Sequence, residues 1–265
     1  MLHRVATNVV LLVVFVTVHN ASAREPHRLR VLSYNIHHGE GVDGKLDLDR
    51  IAAVIREAEP DVVALQEVDR RARRTGSVDQ PAELGRLTGM RAIFERNIPL
   101  EGGEYGNAVL TRLPVISHKN HPLPSHYDGE QRGVLAVELE LAENGPRCVF
   151  LATHLDYRPD DAERRASAAM INKLVATQAE MPALLTGDLN ARPDTPVLKD
   201  FSAEWTRANK ELLPTFPSRQ PVRQIDYVLY RPANRWRVIE TRVIDESLAS
   251  DHRPLLAVLE LISRE

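Results

Sequence analysis

The sequence predicts a single α/β domain in which mixed sheets are sandwiched between helices. Three observations lead there. The chain opens as a β-α-β unit: "LRVLSYNI" (29–36), the amphipathic "LDLDRIAAVIREAEP" (46–60) and "DVVALQEV" (61–68). Short apolar strands then recur to the C-terminus, several spaced to pair as hairpins, with helical patterns between them in each half. Finally, no linker, low-complexity tract or short-period repeat interrupts residues 28–262.

In 46–60, Ile51, Val54, Ile55 and Ala58 mark one helix face, and Pro60 follows the helix end. "QPAELGRLTG" (80–89) reads as a short helix. Strands follow near 91–96, 106–111, 115–120 and 133–141. "RCVFLATHL" (147–155) is an apolar strand, "DAERRASAAMINKLVATQ" (161–178) a helix and "PALLTGDL" (182–189) the next strand. "QIDYVLY" (224–230), "WRVIETRVI" (236–244) and "PLLAVLEL" (254–261) complete the strands.

The first 23 residues have a different composition. Arg4 supplies a positive start, "VVLLVVFVTV" (9–18) an apolar core, and Ala21-Ser22-Ala23 a small-residue cleavage site. This is the pattern of a secretory signal peptide, too short to span a bilayer stably, so residues 24–265 are expected to form the exported domain. The chain as a whole has ordinary globular composition, 43% hydrophobic and 27% charged. A net charge of −3 gives no global field for nucleic acid. Cys148, the one cysteine, excludes an intramolecular disulfide and sits in an apolar strand as a small core residue.

Polar residues gather where the apolar strands end. Asn35, Gln66-Glu67, His154 and Asp188 close four of them, Asp226 lies in another, and Asp251-His252 precedes the last. Each alone reads as a cap or turn residue. Together, carboxylates and carboxamides suit a hard divalent cation, while no H-E-x-x-H or comparable histidine spacing points to zinc.

In order, "SYNIHHG", "LQEVD", "YGNAVLTRLPV", "THLDYR", "TGDLNA", "IDYVLY" and "SDHRPLLAVLEL" resemble the signatures of the endonuclease/exonuclease/phosphatase superfamily, the deoxyribonuclease-I-like fold, over residues 29–261. "IHHGEGVDGKLDL" resembles its bacterial exported subgroup. The resemblance implies a four-layer α/β sandwich, two mixed, mostly antiparallel sheets face to face with helices outside. It implies a metal-dependent phosphoesterase with its site at one edge of the sandwich. By that similarity Glu67 is the principal metal carboxylate, with Asn35 and Asp251 beside it, and Mg²⁺ is the expected ion, Mn²⁺ or Ca²⁺ the alternatives. Asp188 matches the residue that orients or deprotonates water, Asn190 one that holds phosphate, and His252 with Asp226 a His–Asp dyad. His154 matches the "T-H" histidine of the secreted deoxyribonuclease and sphingomyelinase-like branches.

Tyr105 and Asn107 lie where family members contact phosphate. Arg73 and Arg74, with Arg70 and Arg71, form a local basic cluster suited to steering phosphate, and His37 and His38 follow Asn35 at the substrate side. A monomer acting on a phosphoester is expected, as a phosphodiesterase. The alternatives are a secreted DNA or RNA endonuclease, or a non-catalytic phosphate- or lipid-binding relative. No stripe of basic residues interleaved with aromatics supports the first, and the retention of Glu67, Asp188 and His252 opposes the second.

Overall fold

The computed structural model describes residues 27–127, 129–177 and 180–262; the expected signal peptide lies outside the described residues. Among the described residues, twelve strands form two six-stranded sheets. The first has the order β11-β12-β1-β2-β4-β3: β11 is Trp236–Val243, β12 Leu255–Leu261, β1 His27–Asn35, β2 Val62–Arg70, β4 Gly103–Thr111 and β3 Arg91–Leu100. The second has the order β5-β6-β7-β8-β10-β9: β5 is Val115–Pro122, β6 Gly133–Glu140, β7 Arg147–His154, β8 Ala183–Asp188, β10 Asp226–Arg231 and β9 Thr206–Arg207. β1–β2 and β7–β8 are parallel; the other pairs are antiparallel.

Strand alternation makes the layers. Val31, Ala64 and Val109 of the first sheet meet Val137, Phe150, Leu184 and Val228 of the second in an inter-sheet core that includes buried Cys148. Their neighbours Leu32, Tyr34, Val63 and Leu65 face outward. They pack with Ile51 and Ile55 of α1 (Leu48–Ala58) and Leu84 of α2 (Gln80–Thr88). Leu151, Leu185 and Leu229 likewise pack under α3 (Ala162–Ala176) and α4 (Pro196–Phe201). Helices thus cover the outer faces and complete the four-layer sandwich that the resemblance implies.

The differences from expectation are local. The strands expected near 91–96 and 106–111 run longer, to Leu100 in β3 and from Gly103 in β4, so "NIPLEGGEYG" carries their joined ends. Leu100 pairs with Gly103 across a two-residue turn, Glu101 at φ +47° and Gly102 at φ +83°. Pro99 is tolerated because β3 is an edge strand. α4 spans only six residues and β9 two, too short for periodicity to reveal.

The alternation that builds the core also builds the site. Continuing the inner face of β1 past Val31 gives Ser33 and Asn35; β8 past Leu184 gives Thr186 and Asp188; β7 past Phe150 gives Ala152 and His154. Register sets them side by side: His154 and Asp226 each pair with Asp188, and Asn35 with Gln66. At this edge the apolar interior becomes polar.

Candidate active site

A cavity of about 970 Å³ opens there, lined among others by His37, His38, Glu67, Arg74, Tyr105, Arg132, His154, Asp188, Asn190, Asp251 and His252. Glu67 reaches it through a break in alternation. By period two it would follow Leu65 toward the helices, but the β2–β4 register slips between Leu65 and Val68 and Glu67 adopts φ +58°. The bulge turns its carboxylate to Asn35, whose Nδ2 donates to Glu67 Oε1 at 2.9 Å. Ser250 Oγ donates to the Asn35 carbonyl at 2.7 Å, fixing this strand end from the loop before β12.

Asp188 is the hub. Its Oδ1 accepts the Asn190 backbone N–H at 2.8 Å, which seats Asn190 at φ +47°. Its Oδ2 accepts Asn35 Nδ2 at 3.3 Å and lies 3.5 Å from His154 Nε2 and 3.7 Å from His252 Nε2. Gly187 permits this placement: at φ +151° a Cβ would sit 1.9 Å from the Thr153 carbonyl oxygen, so only glycine lets β8 lie this close to β7. Burial, reinforced by the charge of Asp226, raises the Asp188 carboxyl to about 7 against the pull of His252.

The two histidines are held in different states. His252 Nδ1 donates to Asp226 Oδ2 at 2.9 Å, and Thr215 Oγ donates to the same oxygen at 2.5 Å. The Phe216 ring packs on His252 at a centroid distance of 4.8 Å. Burial alone would favour neutral His252, but Asp226, with Asp188 and Asp251, outweighs it and raises the imidazole to about 10. His154 is driven the other way by burial, then by Arg132 and His252, well below its ordinary value. Arg132 Nη1 lies 3.0 Å from His154 Nδ1. A guanidinium can only donate, so Nδ1 accepts and the single proton of neutral His154 sits on Nε2, toward Asp188. Asn190 Nδ2, 3.1 Å from that Nε2, donates to the Leu155 carbonyl at 3.1 Å.

The donor set fits a hard cation: the carboxylates of Glu67, Asp188 and Asp251 face one cavity, with the Asn35 carboxamide beside Glu67. Asp188, Asp226 and His252 also place one ligand atom each within 4.8 Å of one another, all three buried.

Two expected phosphate contacts fall elsewhere. Asn107 does not line the cavity; its Nδ2 donates to the Gly133 carbonyl at 3.0 Å, and the amide joins the two sheets. Arg73 also lies outside the lining, in a 3-10 turn (Arg73–Thr75) that directs its side chain toward Gly102. The rest of the basic cluster is largely neutralised: Arg70 pairs with Glu104, Arg71 with Asp79, and Arg74 bidentately with buried Asp69 at 2.8 Å for both bonds. Arg74→Ala, which strands the Asp69 carboxylate, should therefore cost roughly 1–3 kcal/mol of stability, read as a lower urea midpoint. An unchanged midpoint would restore Arg74 to a purely substrate-facing role.

Sequence reasoning missed Arg132, Thr215 and Phe216. Each matters through a side chain distant in sequence, and nothing in "QRG" or "PTFP" announces its partner.

The family model for the Endonuclease/Exonuclease/phosphatase family matches residues 32–252, covering every strand-end residue named above. The chain belongs to the endonuclease/exonuclease/phosphatase family. Its members are typically metal-dependent phosphoesterases or nucleases. Among family relatives, the uncharacterized protein YbhP of Escherichia coli K12 is 27% identical over 247 residues, 88% of this chain and 96% of that protein. The endonuclease/exonuclease/phosphatase of Beutenbergia cavernae is 28% identical with a TM-score of 0.74, covering 88% of this chain and 72% of that one. A mannosyl-6-phosphatase of Bacteroides thetaiotaomicron, 20% identical with a TM-score of 0.73 over 89% of this chain and 100% of that one, shares the fold.

Proposed function

We propose that the protein is an exported, Mg²⁺-dependent phosphodiesterase. The observation that carries this reading is the placement of the buried Asp188 carboxylate in the cavity lining, its Oδ2 3.5 Å from His154 Nε2 and 3.7 Å from His252 Nε2, with burial raising its proton affinity. A general base works best with its proton affinity near the working pH, and a phosphate needs cationic and neutral donors around it.

The chemistry divides among the residues. Asp188 accepts the proton of the attacking water, and Asn35 keeps the carboxylate aimed. His252, held as imidazolium by Asp226, offers Nε2–H to the phosphoryl oxygens. His154 offers Nε2–H as a neutral donor, and Arg132 fixes that tautomer. Glu67, Asn35 and Asp251 would hold the divalent ion, which supplies Lewis-acid polarisation of the phosphoryl group and charge stabilisation on the leaving oxygen.

The ion pairs of Arg70, Arg71 and Arg74 with Glu104, Asp79 and Asp69 leave this loop few free cations, which favours a compact phosphodiester over a long polyanion. The test is a panel of bis-p-nitrophenyl phosphate, DNA, RNA and phospholipids, with EDTA and Mg²⁺ add-back. Turnover of the small diester that EDTA abolishes and Mg²⁺ restores is expected. Hydrolysis confined to DNA or RNA would favour the nuclease alternative, and none on any substrate would overturn the enzymatic reading. The leader in residues 1–23 supports export; loss of that segment from protein recovered outside the cytoplasm is the matching check.

A further inference from the structure

Two imidazoles of the cavity lining have no part in the chemistry above. His37 and His38, in the 3-10 turn after β1 (His37–Gly39), place one ligand atom each within 4.8 Å of each other and of one from Glu67. Their outer nitrogens are directed as metal-ligating histidines require. His37 Nδ1 lies 3.1 Å from the Glu40 carbonyl oxygen, so it carries the proton and leaves Nε2 with a free lone pair. His38 Nε2 lies 3.5 Å from Glu40 Oε2, while its Nδ1 is buried with no hydrogen-bond partner among the described residues.

The backbone reinforces this arrangement. His37 and His38 both sit at φ +45° and Glu67 at φ +58°, left-handed conformations that cost about 1–3 kcal/mol at non-glycine residues. A turn alone would be satisfied more cheaply by glycine or asparagine. The turn is also held from both sides. Asn35 Oδ1 accepts the His37 N–H at 3.1 Å, and Gln80 Nε2 donates to the His38 carbonyl at 2.6 Å while Gln80 Oε1 accepts the Asp69 N–H at 3.0 Å. Arg74, the cation facing His38, is already neutralised by Asp69.

We infer that His37, His38 and Glu67 form a second metal site, for a borderline transition-metal ion of the Zn²⁺ class. Two neutral imidazoles and one carboxylate suit such an ion and disfavour Mg²⁺. The inference rests on the proposed function only in sharing Glu67 with the hard-cation site. Glu67 joins the histidines across some thirty residues and from another strand, so no short sequence spacing could show it.

The test is calorimetric titration of EDTA-stripped protein with Zn²⁺ in saturating Mg²⁺, with Co²⁺ absorption as a second readout. Wild type should take up one Zn²⁺ and give Co²⁺ ligand-field bands. His37→Ala and His38→Gln, with native circular dichroism, should each weaken Zn²⁺ binding by at least about tenfold. Asp251→Asn should retain it. No Zn²⁺ uptake by wild type, or unchanged affinity in both histidine variants, would overturn the site. Zn²⁺ uptake that follows the histidines in a protein without hydrolytic activity would uphold this site and reject the phosphodiesterase reading instead.

Discussion

Asp188→Asn should lower kcat by about 10²–10⁴-fold while the protein stays folded. The substitution keeps the shape and lets the side-chain oxygen go on accepting the Asn190 N–H, but it removes the base from between His154 and His252. Stability should move the other way. Asp188 has a folded-state pKa of about 7 against an ordinary 3.8, so ionising it disfavours the fold increasingly from about pH 4 up to 7, and the penalty then stays. In EDTA at pH 8 the asparagine variant should therefore melt higher, by at least about 2–4 °C for each kcal/mol relieved. A variant with near-normal kcat would remove Asp188 from the base role. A lower melting temperature would mean that its charge is compensated by the native site.

Asp226→Asn should cost about 10²–10³-fold in kcat at pH 8 and bring the alkaline limb of the rate profile down toward or below pH 6.5. Asp226 opposes the burial that would otherwise make His252 neutral; without it the imidazole loses its charge and the partner of Nδ1. The linkage has a defined sign. A histidine raised from 6.5 to about 10 contributes stability that is fully present below pH 6.5 and is lost as pH rises through 10. Wild type should accordingly lose stability across that window, and Asp226→Asn should show a flatter profile there. A rate profile identical to wild type would separate His252 from the phosphate.

Much of the site could be read from the sequence because it obeys the period-two rule. Asn35, His154, Asp188 and Asp226 each continue the inner face of an apolar strand to its end, and ordered motifs marked those ends. Glu67 departs from that rule: its motif identified it, but only the bulge between Leu65 and Val68 shows how it reaches the cavity. Asn107 misled because its motif is polar for a structural reason, the bridge to the Gly133 carbonyl across the sandwich. The arginine loop misled because its counter-charges, Asp69, Asp79 and Glu104, are brought to it by strand pairing and turns. Arg132 fixes the tautomer of His154, and Thr215 holds the Asp226 oxygen that pairs with His252, from residues 22 and 37 positions away, relations that exist only after folding. Fold class was the most legible level, since the strands and helices of the described residues repeat one pattern many times; short pieces such as α4 and β9 were the least.

The most direct measurement is hydrolysis of bis-p-nitrophenyl phosphate in isotopically labelled water by EDTA-stripped protein with Mg²⁺ restored. Attack on phosphorus by a water activated at Asp188 puts the heavy oxygen in p-nitrophenyl phosphate and none in p-nitrophenol. Label in the phenol, or no product once Mg²⁺ is restored, is incompatible with the roles assigned to Asp188, Glu67 and His252.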